Sequence, residues 1–323
     1  MQPNSTLKVL RDWRALSSED QGVAIAFGKF DGVHIGHQHV IDDAAQVARR
    51  LGIPLGVVSL EPSPHELFQP EAPPSRLMSA SQLCRAVERL GVERLYLLPF
   101  DAAMAARSDR DFIEEVMVGG LSVRHMAIGS NMSFGKDRTG NPKALTRYGA
   151  EYGFSVSIAD LVVRGAGDVI SSTVVRRHLR EGRPDLAAAI LGRPFAIEGP
   201  VQKGSQLGRG RGFPTANIAL GRYVAPRLGV YATYTRLSDG RRYPGVASIG
   251  SNRDAKSVEA MLQVTLFDFD QDLCGEVVEI ELIAFLREEE SYVDEHGHFS
   301  NSQAVDQLHR DIATARAMLC PTT

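Results

Sequence analysis

The sequence predicts an α/β fold built on a parallel sheet, followed by a compact antiparallel β-barrel and a terminal helix. Three observations carry that expectation. As far as about Val163, short β-rich runs alternate with helical patterns, the arrangement that gives a parallel sheet covered by helices. At Gly192-Arg193-Pro194 the pattern changes, and β-rich stretches separated by Gly and Pro run on to about Phe285. The last stretch returns to helical spacing. A chain of 323 residues exceeds the common size of one domain, and 43% hydrophobic residues supply material for two cores. The expected division is 1–191 and 192–323.

Taken in order, the expected strands of the first part are 23–27, 56–60, 94–99, 125–129 and 154–161, each a short run rich in apolar residues. Between the first two, Val40, Ile41, Ala44, Val47, Ala48 and Leu51 recur at helical spacing, and Gly52 is placed as a stop. Further helices are expected over 80–90, 109–118 and 144–152. Ser171-Ser172-Thr173 opens another, because a hydroxyl caps free N–H groups at a helix start. A short helix follows over 185–191. The barrel strands are expected at 195–201, 230–235, 242–249, 262–268 and 277–285. Val305, Leu308, Ile312, Ala315 and Leu319 then place a helix over 302–319.

A formal net charge of −3 without a long basic run argues against a nucleic-acid or membrane-surface partner. Cys84, Cys274 and Cys320 are odd in number and widely separated, so neither a disulfide framework nor a structural metal is indicated. No apolar run approaches membrane-spanning length and Met1 to Arg14 lacks an apolar core, so the expected location is the cytoplasm.

The segment Gly28-Lys29-Phe30-Asp31-Gly32-Val33-His34-Ile35-Gly36-His37 joins the first apolar strand to the first helix. An α/β protein holds a nucleotide's phosphates at such a junction. Gly28, Gly32 and Gly36 let the backbone turn and approach a ligand, and His34 and His37, three apart, can face the same phosphates. This spacing resembles the signature of the nucleotidyltransferase superfamily, and within it the adenylyltransferase half of bacterial bifunctional FAD synthetases. The resemblance implies a Rossmann-like nucleotidyltransferase domain followed by a riboflavin-kinase-type barrel.

Three further segments follow the same family order. Glu61-Pro62-Ser63-Pro64 ends the second strand where the family has an acidic residue and Pro-His-Pro, with Ser63 replacing the histidine. Gly129-Ser130-Asn131-Met132-Ser133-Phe134-Gly135 resembles the segment lining the nucleotide and flavin pocket, with Asn131 at its polar position. Ile170-Ser171-Ser172-Thr173-Val174-Val175-Arg176 resembles the signature that holds the triphosphate, which gives Ser172, Thr173 and Arg176 that role. The implied substrates are ATP and FMN, with Mg²⁺, and the products FAD and pyrophosphate. A phosphomonoester is mostly dianionic at pH 7, so this nucleophile needs no general base. His34, His37 and Arg176 are then the expected catalytic groups, as donors and cations that neutralise charge on the phosphates, while Gly28, Phe30, Asp31, Gly32 and Gly36 shape the cradle.

In the second half, Gly210-Arg211-Gly212-Phe213-Pro214-Thr215-Ala216-Asn217-Ile218 resembles the signature of riboflavin kinase. The resemblance gives Thr215 and Asn217 the Mg²⁺ and ATP phosphates, and a hydroxyl with an amide oxygen suits a hard cation. Asp268 to Gly275 and the Phe285-Leu286-Arg287, Gln307 and Asp311 positions also follow the kinase half. The departures lie at its chemistry. Five residues before Asp268 the family carries a glutamate, and here stands Gln263. An alcohol such as the 5′-hydroxyl of riboflavin is a very weak acid, so a carboxylate that accepts its proton is useful, and Gln263 cannot do so. Arg253-Asp254-Ala255-Lys256 and Cys274 also depart from the family, and Glu259 lies roughly 13 Å from Gln263 along a strand.

The main expectation is therefore an FMN adenylyltransferase fused to a riboflavin-kinase-like barrel of reduced or lost activity. A separate riboflavin kinase would then supply FMN. The alternatives are a fully bifunctional enzyme that also phosphorylates riboflavin, a flavin-binding or sensing protein without turnover, and adenylyl transfer to a modified flavin.

Overall fold

The structure, a computed structural model, describes residues 7–164, 168–202, 215–251, 260–289 and 301–320. By its contacts the chain divides into two units. One takes the chain as far as Ala72 and again over Ala80–Ser171, and the other takes Pro73–Ser79 and the chain from Ser172 onward.

The first unit is built from β1 (Lys8–Leu10), β2 (Ala24–Phe27), α1 (Ile35–Leu51), β3 (Leu55–Glu61), α2 (Pro64–Phe68), α3 (Ala80–Glu88), β4 (Arg94–Pro99), α4 (Ala102–Ala105), α5 (Asp109–Asp111), β5 (His125–Gly129), α6 (Pro142–Tyr152) and β6 (Ser155–Ala159). From α5 the chain continues as a π-helix over Phe112–Gly120. The six strands form one sheet in the order β1-β4-β3-β2-β5-β6, and each neighbouring pair runs parallel. All four residues of β2 are buried, as expected for a central strand covered on both faces. Helix α1 ends as predicted at Gly52, whose φ of 65° is a left-handed C-cap that glycine adopts without strain. A small antiparallel hairpin, β7 (Val163–Arg164) and β8 (Asp168–Val169), closes this part of the chain.

The second unit holds α7 (Ser172–Arg180), α8 (Pro184–Leu191), β9 (Phe195–Pro200), β10 (Thr215–Ala219), β11 (Gly229–Arg236), β12 (Arg242–Ser251), β13 (Ala260–Leu266), β14 (Val277–Arg287) and α9 (Asn301–Leu319). Its strands form an antiparallel sheet in the order β10-β13-β12-β11-β14-β9. The two edges meet where Gln202, just past β9, donates its N–H to the Asn217 carbonyl of β10 at 2.8 Å, so the sheet curls into a barrel. On one face of the sheet, Val230, Ala232, Val246 and Phe267 pack against Leu308, Ile312, Ala315 and Leu319 of α9, four of the five positions that the helical spacing picked out. Polar latches reinforce this docking: Arg287 Nη2 donates to Asp311 Oδ2 at 2.8 Å, and Tyr234 donates its hydroxyl to the Leu319 carbonyl at 2.8 Å.

Candidate functional site

The histidine loop leaves β2, the strand flanked by β3 on one side and β5 on the other. Glu61 ends β3, and Asn131 follows β5 by two residues. Three sequence-predicted groups thus share the carboxyl edge of three adjacent parallel strands. In an open α/β sheet the crevice there, where the strand order reverses, is the place for a ligand.

Within the loop, Gly32 takes a φ of 89° and Val33 one of 41°, so the chain doubles back before the helix starts. His34 is the N-cap of α1: its Nδ1 accepts the backbone N–H of His37 at 3.2 Å. A ring nitrogen that accepts carries no proton, so neutral His34 has its proton on Nε2. The His34 and His37 rings stack with centroids 3.6 Å apart and an interplanar angle of 16°. The Phe30 ring stands edge-on to His37 at 5.2 Å. Gly36 makes this folding possible, since a Cβ there would lie 3.2 Å from His34 Nδ1 and 3.7 Å from the Ile170 side chain. Phe30 and His34 are buried. His37 is half-buried as a residue, but its Nδ1 is sealed from solvent without a hydrogen-bond partner among the described residues. Burial first, and the neighbouring His34 second, hold His37 well below the ordinary imidazole pKa, so it is neutral at pH 7.

Ser63, which stands where the family has a histidine, is the N-cap of α2, with Pro64 as the first helical residue. Its N–H donates to Glu66 Oε2 at 3.0 Å. The replacement therefore has a structural use as a helix start. Asn131 is exposed, and a Cβ on Gly129 would sit 3.4 Å from its Oδ1.

Ser172, Thr173 and Arg176 lie on the first two turns of α7, in the second contact unit. Arg176 is half-buried and its Nε donates to the Ser75 carbonyl at 2.6 Å. Ser75 belongs to the segment Pro73–Ser79, which carries no local sequence signal that marks it as a partner of α7.

In the barrel, Thr215 and Asn217 occupy alternate positions of β10, with Ala216 and Ile218 turned inward and buried. Asn217 pairs in register with Gln263 of β13, and Gln263 pairs on its other side with Ser248 of β12. Gln263 Nε2 donates to Thr215 Oγ1 at 3.3 Å. The structure thus brings together the three barrel residues that the sequence singled out and adds Ser248, whose place between buried Ala247 and Ile249 is a period-two signal. The motif's Gly210 to Pro214, the Arg253 to Lys256 run and Glu259 lie outside the described residues. Arg287, Gln307 and Asp311 converge, with Gln307 Nε2 donating to Asp311 Oδ1 at 3.0 Å. Cys274 is exposed. No cluster of three or more His, Cys, Asp or Glu suited to a metal occurs among the described residues. The Thr215 hydroxyl and the Asn217 amide oxygen are ligand types that suit a hard cation such as Mg²⁺.

A glycine-and-histidine loop on the carboxyl edge of a parallel sheet, in one chain with a six-stranded antiparallel barrel, defines the class: a nucleotidyltransferase-type domain fused to a barrel domain. The FAD synthetase family matches residues 16–174 and the riboflavin kinase family matches residues 191–319. The bifunctional riboflavin kinase/FMN adenylyltransferase of Escherichia coli K12 is 35% identical over 311 residues, covering 96% of this chain and 97% of the relative. The protein of that description from Pseudomonas fluorescens is 37% identical over 318 residues, covering 98% of this chain and 99% of its own. The chain belongs to the bifunctional riboflavin kinase/FMN adenylyltransferase family and carries its FAD synthetase and riboflavin kinase domains. A crystal structure described as a macrolide-efflux protein from Streptococcus pneumoniae superposes with a TM-score of 0.82 at 29% identity, covering 96% of this chain and 99% of that one. Efflux is that protein's description alone; among the described residues here, no helix is long and apolar enough to cross a membrane.

Proposed function

We propose that the protein adenylylates FMN with ATP to give FAD and pyrophosphate, and that its riboflavin-kinase site is slowed by the loss of a proton acceptor. The family supplies the setting of flavin nucleotide biosynthesis. The observation that carries the finer reading is Gln263, a neutral amide that donates to Thr215 where the family has a carboxylate.

In the adenylyl reaction a phosphate oxygen of FMN attacks the α-phosphorus of ATP, the bond to the β-phosphate breaks, and pyrophosphate leaves. No proton has to be removed from the nucleophile. The task of the protein is alignment and neutralisation of charge, which suits two stacked imidazoles, one of them in a fixed tautomer. His34 offers Nε2–H, because Nδ1 is committed to the helix cap. Ser172, Thr173 and Arg176 keep the triphosphate role that the resemblance gives them, and Glu61 and Asn131 line the nucleotide and flavin side. Bound with ATP, Mg²⁺ screens the negative charge of the phosphates. The first function is assigned to 1–191 and the second to 192–323.

In the barrel, Thr215 and Asn217 would hold Mg²⁺ and ATP, and Gln263 would orient the riboflavin hydroxyl without accepting its proton. Loss of general-base help costs on the order of 10²–10⁴-fold. FMN would then come from another riboflavin kinase. One observation favours a fully bifunctional enzyme instead: the relatives named for both activities align over nearly the whole chain. Product analysis by liquid chromatography, with Mg²⁺-ATP and either riboflavin or FMN, separates the two. FAD from FMN with little or no product from riboflavin is the expected result, and rapid conversion of riboflavin to FMN or FAD overturns the kinase part.

A further inference from the structure

The chain segment Pro73–Ser79 belongs by its contacts to the second unit, although its neighbours in sequence on both sides belong to the first. It is fastened there at several points. Arg76 donates its N–H to the Arg222 carbonyl at 3.0 Å and accepts the Val224 N–H at 2.8 Å, a parallel bridge around Tyr223. Leu77 and Met78 are buried. Ser79 donates its hydroxyl to Glu198 Oε1 at 2.9 Å, and Tyr223 accepts the Glu198 N–H. Upstream, Pro73 and Pro74 stiffen the approach by fixing φ at two successive residues.

Ser75 sits between the stiff dipeptide and the pinned segment, and its carbonyl receives the Arg176 Nε–H at 2.6 Å. A guanidinium is planar, so one hydrogen bond at Nε limits the directions in which its two terminal nitrogens can point. A half-buried arginine on α7 is thereby aimed by a strap that comes from elsewhere in the sequence.

We infer that the strap Pro73–Ser79 is a positioning element for the adenylyl-transfer reaction, acting through the Ser75 carbonyl to orient Arg176 toward the phosphates of ATP. This rests on the reading that Arg176 serves the triphosphate. Ser75 itself has no contact with the reacting atoms in this role. It acts by fixing a group that does, and it ties that group to the loop that follows β10.

The test is a kinetic cycle on the full-length protein, measuring KM for ATP and kcat for FAD formation from FMN. Arg76→Pro removes the N–H that fastens the strap, and Pro74→Gly loosens it without removing any hydrogen bond. Arg176→Lys keeps a cation but has no Nε–H to offer Ser75. Either strap variant is expected to raise KM for ATP about tenfold, the scale of one hydrogen bond to a charged group, with a smaller change in kcat. In the Arg176→Lys background the same strap variants are expected to have less than about a twofold effect, because the group being aimed is gone. Equal losses in both backgrounds, or no loss in either, overturn the inference and leave the role of Arg176 standing. An Arg176→Ala protein that makes FAD with unchanged KM and kcat overturns that role, and the inference with it. Should Arg76→Pro fail to fold, Pro74→Gly decides the cycle alone.

Discussion

The histidine loop and the barrel motif of this chain keep their family residues to different degrees, and the acceptor chemistry proposed for each differs in the same sense. At the first, the loop from Gly28 to His37 has every glycine and histidine of the pattern, and the structure stacks the two imidazoles at 3.6 Å. At the second, Thr215 and Asn217 stand together on one strand face, but the partner across the ladder is Gln263. Transfer to a phosphate needs no base, whereas transfer to an alcohol gains from one. A glutamine has nearly the shape of a glutamate, so the proposed loss of a proton acceptor is compatible with an intact fold and pairing. Loss of one atom's chemistry does not require loss of the scaffold around it.

The sharpest way to break this comparison is Gln263→Glu. If the second site lacks only its base, FMN formation from riboflavin should rise by about 10²–10⁴-fold while FAD formation from FMN stays the same. A variant with no gain would place the defect elsewhere in the barrel. The mirror experiment is His34→Ala or His37→Ala, for which FAD formation should fall about 10²–10³-fold, the cost of removing a preorganised donor. Riboflavin phosphorylation, at whatever level it occurs, should not move.

Acid separates the two units more gently. His125, enclosed between the Ser155 and Ser157 hydroxyls, is held down to about 4 by burial first and by Arg50 second. His37 is depressed as well. Each is neutral in the folded state and protonates in the unfolded chain, so the stability they contribute is complete above the unfolded imidazole value of about 6.5 and is lost as pH falls below it. For His125 the loss should reach about 3 kcal/mol by pH 4. In the second unit, Asp268 is lowered by its hydrogen bond to Arg316. That stabilising contribution persists until pH falls below the carboxylate range. The sole tryptophan, Trp13, lies in the first unit, against Gly120. Denaturation followed by its fluorescence should therefore weaken between pH 6.5 and 4 ahead of circular dichroism, which reads both units. Coincident transitions at every pH would reject this ordering.

The smallest expected effect divides two roles of one residue. His34→Ala removes the cap of α1 and should cost about 1 kcal/mol, whereas His34→Asn, whose side-chain oxygen can accept the same N–H, should recover most of that stability. Neither should recover FAD formation. An active His34→Asn protein would reduce His34 to a cap.

Much of this architecture was legible in the sequence because it depends on short-range pattern. The strands at 94–99 and 125–129 appear with the expected bounds, and α9 docks by the spacing that predicted it. What was not legible depends on partners far along the chain. Lys8–Leu10 becomes a strand only because β4 offers a parallel edge. Thr215–Ala219 is not among the expected strands, but pairing with β13 draws it into the sheet. The stretch from Phe112 has helical periodicity, which could not reveal its π-helical winding. At the site, the three-residue spacing predicted that His34 and His37 share a face. That the first of them caps its own helix, which fixes where its proton sits, required coordinates. The strap around Ser75 has no local signature at all, since its hydrogen bond to Arg176 spans 101 positions.

The clasp at Gln202 has a mechanical consequence. Strand β10 is hung from β13 along five register pairs, yet its other edge meets the end of β9 through the bridge at Asn217. A cylinder closed in this way has a seam, and a seam is where a cylinder parts first. The Asn217 carbonyl makes the closing bond on that line, so a residue of the riboflavin-kinase signature also fastens the barrel wall.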